Sequence, residues 1–313
     1  MTNTQETVKR IAGQVRGVNL EIARGRFPLS GLGRPSPLTG TDGNDITKIA
    51  PYEPGDLVRN IDWRGSARKE DDYEIDTLHF EDPHPADVVF LVKVGKSMDV
   101  GSTGDDKRTL SAYVTATGIR SAALEDDMVH VRYFSTHKVE AKLGPKTSLS
   151  MFYPALEKLM DTSESDEPPA IAANTGFLQA LRTLPVRRSL VFILADFINF
   201  TEEERLALKR ASASHTINCV VLRDLREMEL PGKFWGFIPI PITLRDISSG
   251  KTKTIWNTNR NRRKFTQNAV NYVEELKQFF HDAHCGWAVF NTDHGAKEAI
   301  PAMMQMFAGI RGQ

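Results

Sequence analysis

Two stretches of the chain, Val88–Val92 and Leu190–Ala195, are apolar at every position. A strand with one wet face alternates polar and apolar residues. A short unbroken run therefore predicts a strand covered on both faces by helices, as in an open parallel sheet. The segments around these runs alternate between helical and extended periods. Residues 107–124 read as a helix, Met128–Phe134 as a strand with Lys138–Leu143 as its hairpin partner, and Ser148–Met160 as a second helix. Thr175 opens a helix reaching Leu184, and Thr201 followed by Glu202, Glu203 and Glu204 has the form of an N-cap with acids in the first turn. Thr216–Leu222 supplies a further strand. A long helix spans 260–283 with apolar Phe265, Val270, Val273, Leu276 and Phe280, and Trp287–Phe290 and Ala296–Phe307 supply the last strand and helix. The predicted class is α/β, a doubly wound, mostly parallel, Rossmann-like sheet.

The ends of this pattern define its organisation. Residues 5–24 place Val8, Ile11, Val15, Val18, Leu20 and Ile22 at loosely helical spacing, and Phe27–Asp45 is a glycine- and proline-rich arm without apolar periodicity. Tyr73–Phe80 alternates as a strand up to the Pro83-His84-Pro85 break. The expected division is residues 1–82 for the helix, arm and small β element, and 83–313 for the main domain. An insertion at 223–259 reads as a β-hairpin on the sheet's rim, turning at Ser248-Ser249-Gly250. Its aromatics Phe234, Trp235 and Phe237 suit packing against the parent domain, with a partner-docking patch as the alternative.

Composition removes several classes. The chain has 313 residues, 40% of them hydrophobic, and its 40 Lys plus Arg balance 40 Asp plus Glu, so no global field favours nucleic acid or an acidic membrane. Cys219 and Cys285 lack metal-ligand or redox-pair spacing and read as buried free thiols. The first residues contain no apolar leader, and no stretch approaches the ~20 apolar residues of a membrane span, so a cytoplasmic location is expected.

The loop after Val92 carries the candidate chemistry. Gly95-Lys96-Ser97 matches the end of a phosphate-binding loop, but the glycine needed five positions earlier is Phe90, inside the strand. Nucleotide binding is not supported. The eight histidines show no HExxH spacing, and no serine sits in a Gly-x-Ser-x-Gly elbow. His281, His284 and Cys285 form the nearest cluster, which reads as an ordinary helix end rather than a metal site. The enzymatic alternative is a hydrolase using Ser97 and Lys93 as a nucleophile pair, which needs a neutral lysine. An adjacent Asp196 opposes that by favouring the ammonium.

A further segment carries a resemblance. Tyr52-Glu53-Pro54-Gly55-Asp56-Leu57-Val58-Arg59-Asn60-Ile61-Asp62-Trp63, followed by Ser66-Ala67-Arg68, resembles the signature of the bacterial domain-of-unknown-function family numbered 58. Leu230-Pro231, Asp246–Gly250 and Arg262–Phe265 extend the resemblance in order and spacing. It implies a von Willebrand factor A-like domain with a small extra β element. It further implies a non-enzymatic adaptor or co-chaperone of MoxR-type AAA+ ATPases, with that ATPase or other von Willebrand factor A-like proteins as partners and no cofactor. In physical terms Pro54-Gly55 makes a turn, the interleaved Asp56, Arg59, Asp62, Arg64 and Arg68 brace an irregular segment, and Trp63 anchors it. The alternative is an anion or partner site made by Arg59, Arg64, Arg68 and Lys69.

Von Willebrand factor A-like domains often carry a metal-ion-dependent adhesion site: Asp-x-Ser-x-Ser after the first strand, a later threonine, and an aspartate ending another strand. The corresponding positions here are Lys93, Gly95, Ser97, Thr175 and Asp196. Lys93 replaces an acid by a base where magnesium would need anionic oxygen ligands. The expectation is a degenerate, metal-free site in which Lys93 pairs with Asp196 beside Ser97 and Thr175. Capping roles for Ser97 and Thr175, and a shifted metal site using Asp99, Asp105 or Asp106, remain as alternatives.

Overall fold

The computed structural model describes residues 2–15, 46–52, 61–68, 75–80, 87–102, 105–124, 127–162, 175–230, 240–245 and 252–293. In chain order the elements are α1 (Thr2–Val15), β1 (Ile46–Pro51), α2 (Trp63–Ser66), β2 (Asp76–Phe80), β3 (Asp87–Lys93), α3 (Lys107–Leu124), β4 (Met128–Phe134), β5 (Val139–Thr147) and α4 (Ser148–Asp161). There follow α5 (Gly176–Leu181), β6 (Leu190–Ala195), α6 (Glu202–Ser212), β7 (Thr216–Arg223), α7 (Leu225–Met228), β8 (Pro241–Arg245), β9 (Thr252–Trp256), α8 (Asn259–Asp282) and β10 (Gly286–Asn291).

Six strands form one sheet in the order β10-β7-β6-β3-β4-β5, parallel throughout except for β5, which runs antiparallel to β4 at the edge. The two unbroken apolar runs are the central strands β3 and β6, and both are buried along their apolar length. One face presents Val89, Leu91, Val191, Ile193, Ile217 and Cys219 to Phe177 of α5, Leu208 of α6, and Leu276 and Phe280 of α8. The alternate residues, among them Phe90 stacked on Phe192 at 5.3 Å, face the layer of α3 and α4. The fold is therefore the doubly wound, mostly parallel α/β sheet that the pattern predicted.

Connectivity reverses between β3 and β6. From β3 the chain moves outward to β4 and β5, then returns past β3 to continue through β6, β7 and β10. This is a topological switch point, where loops leave neighbouring strands in opposite directions and open a crevice at the carboxyl ends. Lys93 ends β3 and Asp196 follows β6, so both candidate residues sit at that crevice.

The structure departs from the sequence reading in several places. Helix α1 buries Val8, Ile11 and Val15 and packs on α3 and α4. It belongs to one compact unit with the sheet (Met1–Ile22 and Asp87–Gln313), whereas Ala23–Ala86 forms a second. Strand β1 was not foreseen, because a short Ile-Thr-Lys-Ile run ending in proline gives almost no local signal; it pairs antiparallel with β2. Strand β5 extends to Thr147, and α5 stops at Leu181. The insertion forms the expected hairpin, but β8 and β9 make a separate two-stranded sheet. Its turn at 248–250, Phe234, Trp235 and Phe237, the arm at 27–45 and the helix expected at 296–307 lie outside the described residues.

Candidate functional site

At the crevice the Lys93 Nζ donates to Asp196 Oδ1 at 2.7 Å; the aspartate side chain is 0% exposed and that of lysine 14%. Ile198 N also donates to Asp196 Oδ1, at 3.3 Å. Burial by itself would raise the carboxyl's pKa. The charges of Lys93 and Lys107, the Lys93 hydrogen bond and the nearby Ser97 hydroxyl outweigh it and hold the group at about 2. Ser97 approaches without full hydrogen-bond geometry, since Asp196 Oδ2 is buried with no hydrogen-bond partner. The result is a nearly dry ion pair with one acceptor unspent.

The other two positions play different parts. Gly95 takes φ +126°, a conformation closed to a serine without strain, so this residue bends the backbone where the adhesion motif would offer a hydroxyl. Thr175 Oγ1 donates to the His137 carbonyl at 2.5 Å. It makes no capping bond to α5, so its role is to tie the loop before α5 to the β4–β5 connection.

These residues do not fit a magnesium ion. An octahedral shell needs about six oxygens with anionic charge, and an ammonium occupies the approach to the buried carboxylate. The aspartates of the shifted alternative are each engaged elsewhere. Asp99 pairs with Arg108 at 2.6 Å, Asp105 pairs with Arg10 of α1 at 2.9 Å, and Asp106 caps α3 by accepting from Thr109 N at 2.7 Å. His281 and His284 are exposed at the end of α8, whereas Cys285 turns inward beside Cys219. The β7–β10 pairing thus brings together two thiols that lie far apart in sequence, and burial raises the Cys219 pKa well above its usual value.

Sequence reasoning missed a second layer of buried charge beside the pair. Lys107, the first residue of α3, is fully buried and donates to Glu227 Oε1 at 2.5 Å; Glu227 Oε2 lies 3.9 Å from Arg223 Nη1. Asp224 Oδ2 accepts from Ser102 N, Ser102 Oγ and Thr292 Oγ1 at 2.8, 2.9 and 2.7 Å. Burial pushes its carboxyl up, but the bonds from Thr292, Arg226 N and Ser102 prevail and lower it. Asp224 and Glu227 also form a capping box on α7, a pattern legible as Asp-x-x-Glu after a strand. Lys107 carried no such signal, because nothing local marks a lysine as buried.

The loop after Asp196 is strained. Phe197 and Asn199 adopt φ +48° and +58° without being glycine. Packing holds them there: Phe197 lies 5.1 Å from the Phe280 ring and 5.3 Å from Phe200, and Tyr272 Oη donates to the Phe197 carbonyl at 2.6 Å. Backbone strain maintained by surrounding contacts marks loops whose conformation is used.

The signature segment lies in the second unit. Tyr52 N donates to the Ile75 carbonyl at 2.7 Å. Asp62 caps α2 by accepting from Gly65 N at 2.9 Å, while Ser66 Oγ donates to the Asp62 carbonyl at 2.7 Å and accepts from Asp76 N at 2.8 Å. Trp63 is not the anchor expected of it: the residue is 61% exposed, and buried Ile61 and Thr77 fill the interior instead. Arg68 is exposed. Pro54, Gly55, Asp56, Arg59 and Lys69 lie outside the described residues.

A family model described as "Protein of unknown function DUF58" matches residues 48–275. Among solved structures, the chain is similar to the conserved hypothetical protein BatB from Bacteroides thetaiotaomicron, at 14% identity and TM-score 0.40, over 71% of this chain and 98% of that one. It is also similar to an aerotolerance-related membrane protein from Bacteroides fragilis, at 14% identity and TM-score 0.38, over 70% and 98%. A von Willebrand factor type A protein from Catenulispora acidiphila matches at 13% identity and TM-score 0.35, over 76% and 45%. No curated protein matches. Among the described residues, no helix is long and apolar enough to cross a membrane.

Proposed function

The chain belongs to the DUF58 family, and from that premise we propose that it is a non-enzymatic protein-interaction module whose adhesion site has exchanged its metal for a lysine. The observation that carries this reading is the 2.7 Å Lys93–Asp196 ion pair at the switch point of the sheet. In a metal-dependent site the cation draws loops together and offers a vacant coordination position to a partner's carboxylate. Here the ammonium neutralises Asp196 from within, so the crevice loops keep one arrangement without any ion. Partner binding then rests on surface shape and charge.

The hydrolase alternative is weaker. A nucleophile pair needs the lysine amine turned to the serine hydroxyl, and Lys93 Nζ instead donates to the buried Asp196 carboxylate at 2.7 Å. We further propose, on family resemblance, that the module works in the cytoplasm as an adaptor or co-chaperone of a MoxR-type AAA+ ATPase in complex assembly or remodelling.

Magnesium titration by calorimetry tests the site. The natural chain is expected to show no stoichiometric binding, and the Lys93→Asp variant, which puts an acid at the end of β3 and keeps the Gly95 turn, is expected to acquire it. Stoichiometric binding by the natural chain that Asp196→Ala abolishes would overturn the metal-free reading. Isolation of the tagged chain from its native host tests the partner: an AAA+ ATPase retained at near-equimolar amount supports the adaptor role, and its absence removes it.

A further inference from the structure

The turn that carries Trp63 is built as a display. Each polar group of its frame is directed inward. The Asp62 carboxylate closes the turn on Gly65 N, and Ser66 bridges the Asp62 carbonyl and Asp76 N. Asp62 N donates to the Asp76 carbonyl at 2.8 Å, which joins the turn to β2. Gly65 lets the carboxylate lie close, because a Cβ there would meet Asp62 Oδ2 at 2.3 Å and the side chain would have to turn aside. The outward side holds Trp63, Arg64 and Arg68 within about one helical turn. Among the described residues neither guanidinium has a hydrogen-bond or ion-pair partner.

A solvated indole on a residue 61% exposed contributes little to folding, yet it stands on a frame fixed by four hydrogen bonds. Tryptophan and arginine are the residue types most enriched where a few side chains dominate binding, since a rigid ring and a planar guanidinium lose little entropy when covered. Two unpaired cations beside that ring select an anionic partner. We propose that Trp63, Arg64 and Arg68 form a docking surface for an acidic protein segment that carries an apolar side chain, with the apolar group on the indole and its flanking carboxylates on the two guanidiniums.

Single-stranded nucleic acid is the competing anion with a stacking group. It is disfavoured because two guanidiniums are few for tracking a phosphate backbone and the chain as a whole has no positive excess.

The test uses the full chain and three probes: a synthetic peptide with leucine and phenylalanine flanked by glutamates, the same peptide with lysines for glutamates, and an oligothymidylate. Binding is followed by fluorescence anisotropy at low and high salt. The acidic peptide is expected to bind saturably, weaken with salt, and lose roughly tenfold or more in affinity with Trp63→Ala or with Arg64→Glu combined with Arg68→Glu. The Arg64→Lys, Arg68→Lys variant should retain part of it. Trp63, Arg64 and Arg68 are exposed, so unchanged circular dichroism is expected to accompany each loss. No saturable binding of the acidic peptide at millimolar concentration, equal binding by the arginine-reversed variant, or preference for the lysine peptide or the oligonucleotide overturns the proposal.

Discussion

Lys93 and Asp196 balance a buried charge from within the fold. A carboxylate taken out of water requires a proton or a cation beside it. The lysine supplies the cation. Because the folded Asp196 pKa, about 2, lies below its ordinary value of 3.8, the pair contributes stability that is fully present above the unfolded carboxyl's pKa. That contribution, ~2 kcal/mol, is lost as pH falls from ~5 toward 2. Urea unfolding of the natural chain and of Asp196→Asn across this range is expected to show a stability gap that narrows as the solution is acidified. A gap that stays constant would mean Asp196 is not ionised in the fold. The same residue scale explains why Trp63 was misjudged: a large aromatic in a polar segment reads as an anchor, yet exposure depends on what the rest of the fold places over it.

Among elements, the best-specified are those whose start is written in side chains. Thr201 Oγ1 accepts from Glu204 N at 3.3 Å, and Glu204 Oε2 accepts from Thr201 N at 2.8 Å, completing the capping box that Thr201-Glu202-Glu203-Glu204 implied. Replacing Thr201 by Ala is expected to cost about 1 kcal/mol in denaturant midpoint experiments, through unpaired amides at the start of α6. Helix α3 is the opposite case. Its Lys-Arg-Thr-Leu-Ser-Ala-Tyr-Val run shows no apolar stripe, yet almost every residue is buried. Small hydroxyls make this possible by returning to the helix's own carbonyls, Ser111 to Arg108 and Thr117 to Tyr113, each at 2.7 Å.

At the scale of the molecule, α3 is buried because α1 covers it. Ile11 and Val15 are fully enclosed, Arg10 reaches Asp105 at the start of α3, and Gln14 accepts from the Tyr113 hydroxyl. A helix that begins the chain is thus part of the main core. Ile11→Ala is expected to lower unfolding free energy by about 3 kcal/mol, the range for emptying a closed apolar site, measured by urea denaturation. A loss below about 0.5 kcal/mol would show α1 to be a dispensable attachment. The second unit, with the signature turn, has its own short sheet and its own frame of hydrogen bonds.

The sequence by itself determined the central strands, most helices and the family. These follow from local periods, caps and a contiguous signature, all of which act over a few residues. The family resemblance laid on the sequence also paired Lys93 with Asp196, and the two meet because their strand ends converge at the switch point of the sheet. Only the tertiary structure decided the association of α1 with the sheet, the buried Lys107–Glu227–Arg223 layer, the meeting of Cys219 and Cys285, and the outward display of Trp63. Each depends on contacts between residues far apart in the chain, and burial is a property of what covers a side chain rather than of its neighbours in sequence.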